Sequence, residues 1–177
     1  LHPPLYSYFL ALVGWPLGFS EPVIHLACLP LALGCVWLMY RLAAHFCSDP
    51  VTATLASLVA PAFLVSATTA MADIPMYFCW LLAVHETLRA GATGRPRRLW
   101  LAGLAASAAA RTKYFGIALV PLLLVYWHVG SRRASFNRSG RLNVNTFALW
   151  TPVAVLAAWG MYSAVQIGRV HFLSAAG

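Results

Sequence analysis

Long apolar runs, separated by short polar interruptions, dominate the pattern along this chain. Pro22 to Tyr40 forms one such run, closed by Arg41, and Phe147 to Ile167 forms another, closed by Arg169. Each matches the roughly 20 residues, at about 1.5 Å apiece, that a helix needs to cross about 30 Å of hydrocarbon. Leu5 to Leu17 is apolar but too short to span, and it carries Tyr6, Tyr8 and Trp15. That pattern predicts an interfacial helix, begun by Pro3-Pro4 and lying along the membrane surface.

The longer runs must fold back on themselves. Val51 to Leu88 has 38 residues, with Asp73 and Glu86 as its only charges. As one helix it would measure about 57 Å, nearly twice the hydrocarbon thickness. The turn is predicted at Met71-Ala72-Asp73-Ile74-Pro75, where Asp suits an N-cap and Pro a first helical turn. Leu99 to Val129 is interrupted by Arg111-Thr112-Lys113-Tyr114. A single helix there would hold two cations near the midplane, at about 2.5–3.5 kcal/mol each. Two short helices meeting at the Thr-Lys-Tyr turn avoid that cost.

Charge placement supports both turns. Arg41, then Arg89, Arg95, Arg97 and Arg98, then Arg132, Arg133, Arg138 and Arg141 make up nine of the 12 basic residues. With turns at Asp73 and Lys113, all nine fall on one side, which the positive-inside rule makes cytoplasmic. The other face receives His2-Pro3-Pro4, Ser20-Glu21, the Asp73 turn, the Arg111-to-Tyr114 turn, and Arg169 with His171. Trp100, Trp127 and Trp150 fall at predicted span ends, as in an aromatic belt.

Composition agrees with this reading. Of the 177 residues 61% are hydrophobic and 9% charged, against roughly 45–50% and 25% in a soluble domain. This excludes a soluble globular protein, a disordered tail and a nucleic-acid-binding module. The net charge of +8 is a topology signal, and no nucleic-acid partner is expected. Cys28, Cys35, Cys47 and Cys79 stand singly in or beside apolar runs and read as packing residues. The prediction is an all-α polytopic transmembrane bundle in a single domain over 1–177. Residues 1–21 form an external loop with an interfacial helix, and 22–170 form about six membrane helices.

The outer face carries the candidate chemistry. Asp73 offers a carboxylate at a helix start, and Lys113, with Arg111 and Tyr114 beside it, offers positive charge. His2, His25 and Glu21 add further polar groups. A cation between short helices, open to the outer leaflet, suits a lipid-linked phosphate. Nearby carboxylates suit sugar hydroxyls, a divalent metal or an acceptor proton. Each residue also has a structural reading: Asp73 and Glu21 as interfacial caps, Lys113 as a snorkelling lysine, His25 as a packed histidine. His85 and Glu86, near the cytoplasmic end, read as structural.

The segment HPPLYSYFLALVGWPLGFSEPVIHLACLPLALG, followed in order by MADIP and ARTKYFGIALVPLLL, resembles membrane glycosyltransferases of the C-type fold. The similarity is to the group containing protein O-mannosyltransferases and the lipid A aminoarabinose transferase. It implies a polyprenyl-phosphate sugar donor, with membrane lipids around it, and transfer to an acceptor on the extracytoplasmic face. The resemblance is stronger to bacterial members, implying a bacterial inner membrane. His2, Pro3, Pro4, Tyr6, Arg111 and Tyr114 would shape the donor pocket, with Asp73 and Lys113 catalytic and Glu21 and His25 further candidates. The family's first acidic motif, which supplies the general base, would lie ahead of Leu1. The 177-residue chain alone is therefore expected to be inactive. Where many relatives carry an Arg after the loop Glu, this chain has His25. The competing class is a transporter or lipid flippase, supported by polar groups and paired short helices in a bundle.

Overall fold

The computed structural model describes residues 4–69, 71–130 and 144–167; the side chains of 144–146 and 166–167 are outside the description. Within these residues the chain is all α. The helices are α1 (Leu5–Leu17), α2 (Glu21–Phe46), α3 (Pro50–Val59), α4 (Pro61–Thr68), α5 (Asp73–Thr93), α6 (Pro96–Thr112), α7 (Leu119–Gly130) and α8 (Thr151–Ile167). Short 3-10 turns at Tyr114–Ala118 and Val144–Trp150 precede α7 and α8. The basic loop at 131–141, Arg169, His171, His2 and Pro3 lie outside the described residues.

The short N-terminal helix occupies the predicted span, Leu5–Leu17, and the turns at Asp73 and Lys113 both form. Two helices, Glu21–Phe46 and Phe147–Val165, are long and apolar enough to cross a membrane unaided. The predicted single helix after Val51 is instead two, α3 and α4, bent by 65°. The cause is local: Pro61 cannot donate to the helical ladder, and it pushes Ala60 into an extended conformation at φ −58° and ψ 126°. Trp127 also departs from the belt pattern, being only 4% exposed within the core, whereas Trp100 and Trp150 are exposed. Cys47 is exposed at the end of α2, while Cys28 and Cys35 are buried.

The α5–α6 hairpin is the spine of the molecule. Gly94, in the left-handed region at φ 66°, closes α5, and its N–H donates to the Ala90 carbonyl. Pro96 then opens α6, where the missing N–H is harmless. α6 reads PRRLWLAGLAASAAART, and its alanines let neighbouring backbones approach closely. α5, α8 and both 3-10 turns pack against it, with α1 resting on it as well.

An ion pair closes each end of this hairpin. At the turn end, Arg98 Nη1 donates to Glu86 Oε2 at 2.9 Å, with the two side chains only 20% and 11% exposed. At the open end, Lys113 Nζ meets Asp73 Oδ1. Removing one partner of a buried pair strands the other charge, at about 3–5 kcal/mol. Glu86→Ala should therefore lower the melting temperature of the detergent-solubilised protein by roughly 6–20 °C, with Glu86→Gln milder. A melting curve unchanged by Glu86→Ala would remove the pair from the account of stability.

Candidate active site

The sequence sets the geometry around Asp73 in three steps. After α4 the backbone turns, with the Met71 N–H bonded to the Thr69 carbonyl, and Ala72 enters the helical region as the N-cap. Ala72 has no side chain to cap with, and Asp73 is the first helical residue rather than the cap that the sequence suggests. Its carboxylate sits where the helix macrodipole favours negative charge. Pro75 falls in the first turn, where helices tolerate it.

Lys113 is presented by the opposite device. α6 ends at Thr112, and Lys113 is extended at φ −142° and ψ 139°. Its N–H still donates to the Ala109 carbonyl, and its own carbonyl accepts from Gly116 N–H at 2.9 Å. Gly116 is required here, because a Cβ would overlap the α6 backbone at Ala109 and Ala110. The chain thus leaves α6 and folds straight back on it, with the lysine side chain directed to α5. Lys113 Nζ donates to Asp73 Oδ1 at 2.5 Å, joining residues 40 apart in sequence. Both side chains remain about one-third exposed, at 31% and 32%.

A cleft of about 350 Å³ opens over this pair. It is lined by Asp73, Lys113, Thr112 and Met71 together with Tyr6 and Ser7 of α1. Tyr6 is held by a contact from its hydroxyl to Cys28 Sγ at 4.0 Å and by stacking on Phe9. Burial pushes its phenol up to about 12, aided by the Cys28 thiol, so the hydroxyl stays protonated. Asp73 also borders a second, mainly apolar cavity of about 430 Å³, lined by Met39, Phe63, Ile74 and Tyr77 among others. The carboxylate therefore stands between two spaces.

The other sequence candidates are placed as follows. Pro4 is the N-cap of α1, and its carbonyl accepts from Tyr8 N–H. Arg111 does not line the cleft. Its guanidinium lies over the Trp159 ring of α8 at 4.9 Å, with Nε buried and lacking a hydrogen-bond partner. Tyr114 begins the 3-10 turn and is half-buried outside the cleft lining. Glu21 and His25 pair with each other at 3.7 Å on the first turns of α2, with Glu21 87% exposed. Neither lines the cleft. Among the described residues, no three His, Cys, Asp or Glu side chains converge to cage a metal.

Sequence reasoning passed over Ser7, Met71 and Thr112 as lining residues, although each adjoins a residue or turn that it singled out. It also missed Trp159. Arg111 lies in the last turn of α6, whereas Lys113 leaves the helix in an extended conformation, so helical spacing does not relate the two side chains.

No curated protein and no solved structure matches the chain. The sequence pattern of one family does, that described as dolichyl-phosphate-mannose-protein mannosyltransferase, and it matches residues 1–159. The matched range takes in α1 to α7 and the first half of α8, with both the Asp73 and the Lys113 turns inside it. This chain, an integral membrane protein built of apolar helices, belongs to the dolichyl-phosphate-mannose-protein mannosyltransferase family of glycosyltransferases.

Proposed function

We propose that the protein transfers a sugar from a polyprenyl-phosphate donor to an acceptor on the extracytoplasmic face of a bacterial inner membrane. The donor phosphate is assigned to the cleft between α1, α5 and α6. The observation that carries this reading is the Lys113–Asp73 contact in the cleft wall, a cation and a carboxylate brought together from separate turns. The cleft volume, about 350 Å³, falls in the range of small-molecule sites, roughly 300–1,000 Å³. The basic residues Arg41 and Arg89 lie toward the other ends of α2 and α5, which supports an extracytoplasmic cleft.

The chemistry follows from charge. The acceptor hydroxyl oxygen attacks the anomeric carbon, forming the new glycosidic bond as the bond to the phosphate oxygen breaks. The electron pair departs with the polyprenyl phosphate, which gains negative charge. Lys113 stabilises that charge through a charge-assisted hydrogen bond that strengthens as the bond breaks. A donor phosphate competes with Asp73 for Lys113, which frees the carboxylate to orient the acceptor hydroxyl. The hydroxyl proton passes to a carboxylate base. Inversion at the anomeric carbon is the expected outcome of this single displacement. Tyr6, as a protonated phenol in the cleft lining, serves as a donor to phosphate or sugar oxygens.

Asp73→Asn and Lys113→Ala in the full-length protein should each lower sugar transfer by about 10²–10³-fold, the usual loss for one stabiliser of developing charge. Lys113→Arg should recover part of the rate. Undiminished transfer in both Asp73→Asn and Lys113→Ala would end the assignment of this cleft.

Arg111 is expected to behave differently. Stacked on Trp159, it contributes about 0.5–2 kcal/mol to the packing of α8 on α6. Arg111→Ala should lower thermal stability while leaving the donor KM unchanged. A raised donor KM with unaltered stability would move Arg111 into the donor site.

A further inference from the structure

A second charged cavity lies far from the cleft, between the C-terminal turns of α2 and α5. It has a volume of about 410 Å³ and is lined by Arg41, His45, His85 and Arg89 over a floor that includes Leu42 and Leu88. Arg89 is 16 residues beyond Asp73 on α5, a separation of about 24 Å along the helix axis. The four polar side chains form two i,i+4 pairs, one on each helix, so each pair shares a face.

The two arginines of the cavity carry positive charge that no carboxylate among the described residues neutralises. No carboxylate lines it. Of the two acidic residues in this region, Glu86 is bonded to Arg98 at 2.9 Å and lies 3.9 Å from His85 Nε2, and Asp49 accepts the Thr52 N–H as the cap of α3. Arg41 and Arg89 have no carboxylate partner among the described residues. Arg41 is held in place by its own helix, with its guanidinium over the Trp37 ring at 5.7 Å. The same Trp37 packs edge-on against His85 at 5.9 Å, so one indole positions a group from each wall.

Helix ends alone do not explain the cluster. A helix C-terminus carries about −0.5 charge, felt only within its last turn. Arg41 sits five residues before the end of α2, outside that turn. Two full guanidinium charges outweigh what the two helix ends supply. The cavity is therefore a net cationic recess with an apolar floor, the chemistry that receives a phosphate group attached to a greasy or neutral body.

We propose that this cavity binds a phosphate-bearing anionic headgroup, with Arg41 and Arg89 holding the phosphate and His45 and His85 beside it. The chemistry is shared by an anionic phospholipid and a soluble phosphate ester, and the test separates them. The full chain in phosphatidylcholine-containing micelles is titrated with a fluorescent-tailed phosphatidylglycerol, with and without inorganic phosphate. Affinity should fall about thirtyfold in Arg41→Gln/Arg89→Gln, about one charge contribution for each arginine lost. Ala92→Trp, which fills the recess without removing charge, should weaken binding as well. Arg97→Gln, an exposed arginine outside the cavity, should leave it unchanged. Binding that inorganic phosphate fails to displace identifies a lipid headgroup; displacement identifies a soluble phosphate. Equal affinity in wild type and both cavity variants, or an equal loss in Arg97→Gln, would overturn the proposal in favour of diffuse surface charge.

Discussion

The α5–α6 hairpin, held by an ion pair at each end, is the constraint on which the rest of the structure depends. Glu86–Arg98 fixes the hairpin near its turn, and Asp73–Lys113 fixes it at its open end. Between them, the alanine-rich face of α6 brings α5 and α8 close, and α1 rests on the same helix near the open end. In an apolar bundle, hydrophobic packing gives little directional information, because lipid and protein interiors are similarly greasy. Specific charge pairs supply that direction. They set which residues of α5 stand beside which residues of α6.

The two pairs differ in exposure, and in the proposed reaction only the more open one takes part in the chemistry. Glu86 and Arg98 are mostly covered, while Asp73 and Lys113 are each about one-third exposed and open onto a cleft. A covered pair is difficult for a ligand to reach. An open one is available for exchange, since an incoming phosphate offers Lys113 a second partner of the same sign as Asp73. In the proposed reaction the open pair is held together at rest and parts on donor binding, which couples phosphate recognition to release of a carboxylate. The mainly apolar cavity on the other side of Asp73 gives that carboxylate a second space to address.

What was legible in the sequence was legible because hydrocarbon thickness limits a span and charge is costly within it. Lys113 marked a turn for that reason, whereas Asp73 did so because its run is too long for one span and Asp with Pro suits a helix start; the structure places both at helix boundaries. The limits of α1 were readable from an apolar run too short to span, begun by prolines. The break at Pro61 was less visible, since Ala60-Pro61 interrupts an apolar run without adding charge. The pairing of Asp73 with Lys113 depends on tertiary contact across 40 residues and on the extended backbone at Lys113. Neither leaves a local pattern. The orientation of Arg111 was not legible either, since its partner Trp159 lies on a helix whose packing no local rule specifies.

The central claim is that Asp73 and Lys113 form a working pair and not merely a strut. The most direct measurement is a double-mutant cycle on the full-length protein with Asp73→Asn, Lys113→Gln and the two combined, following thermal stability and sugar transfer together. Each single variant strands one charge, whereas the double variant strands none. The account predicts that the double variant regains stability while transfer stays as low as in the single variants. Recovery of transfer in step with stability would show that the pair only holds the hairpin closed, and would contradict it.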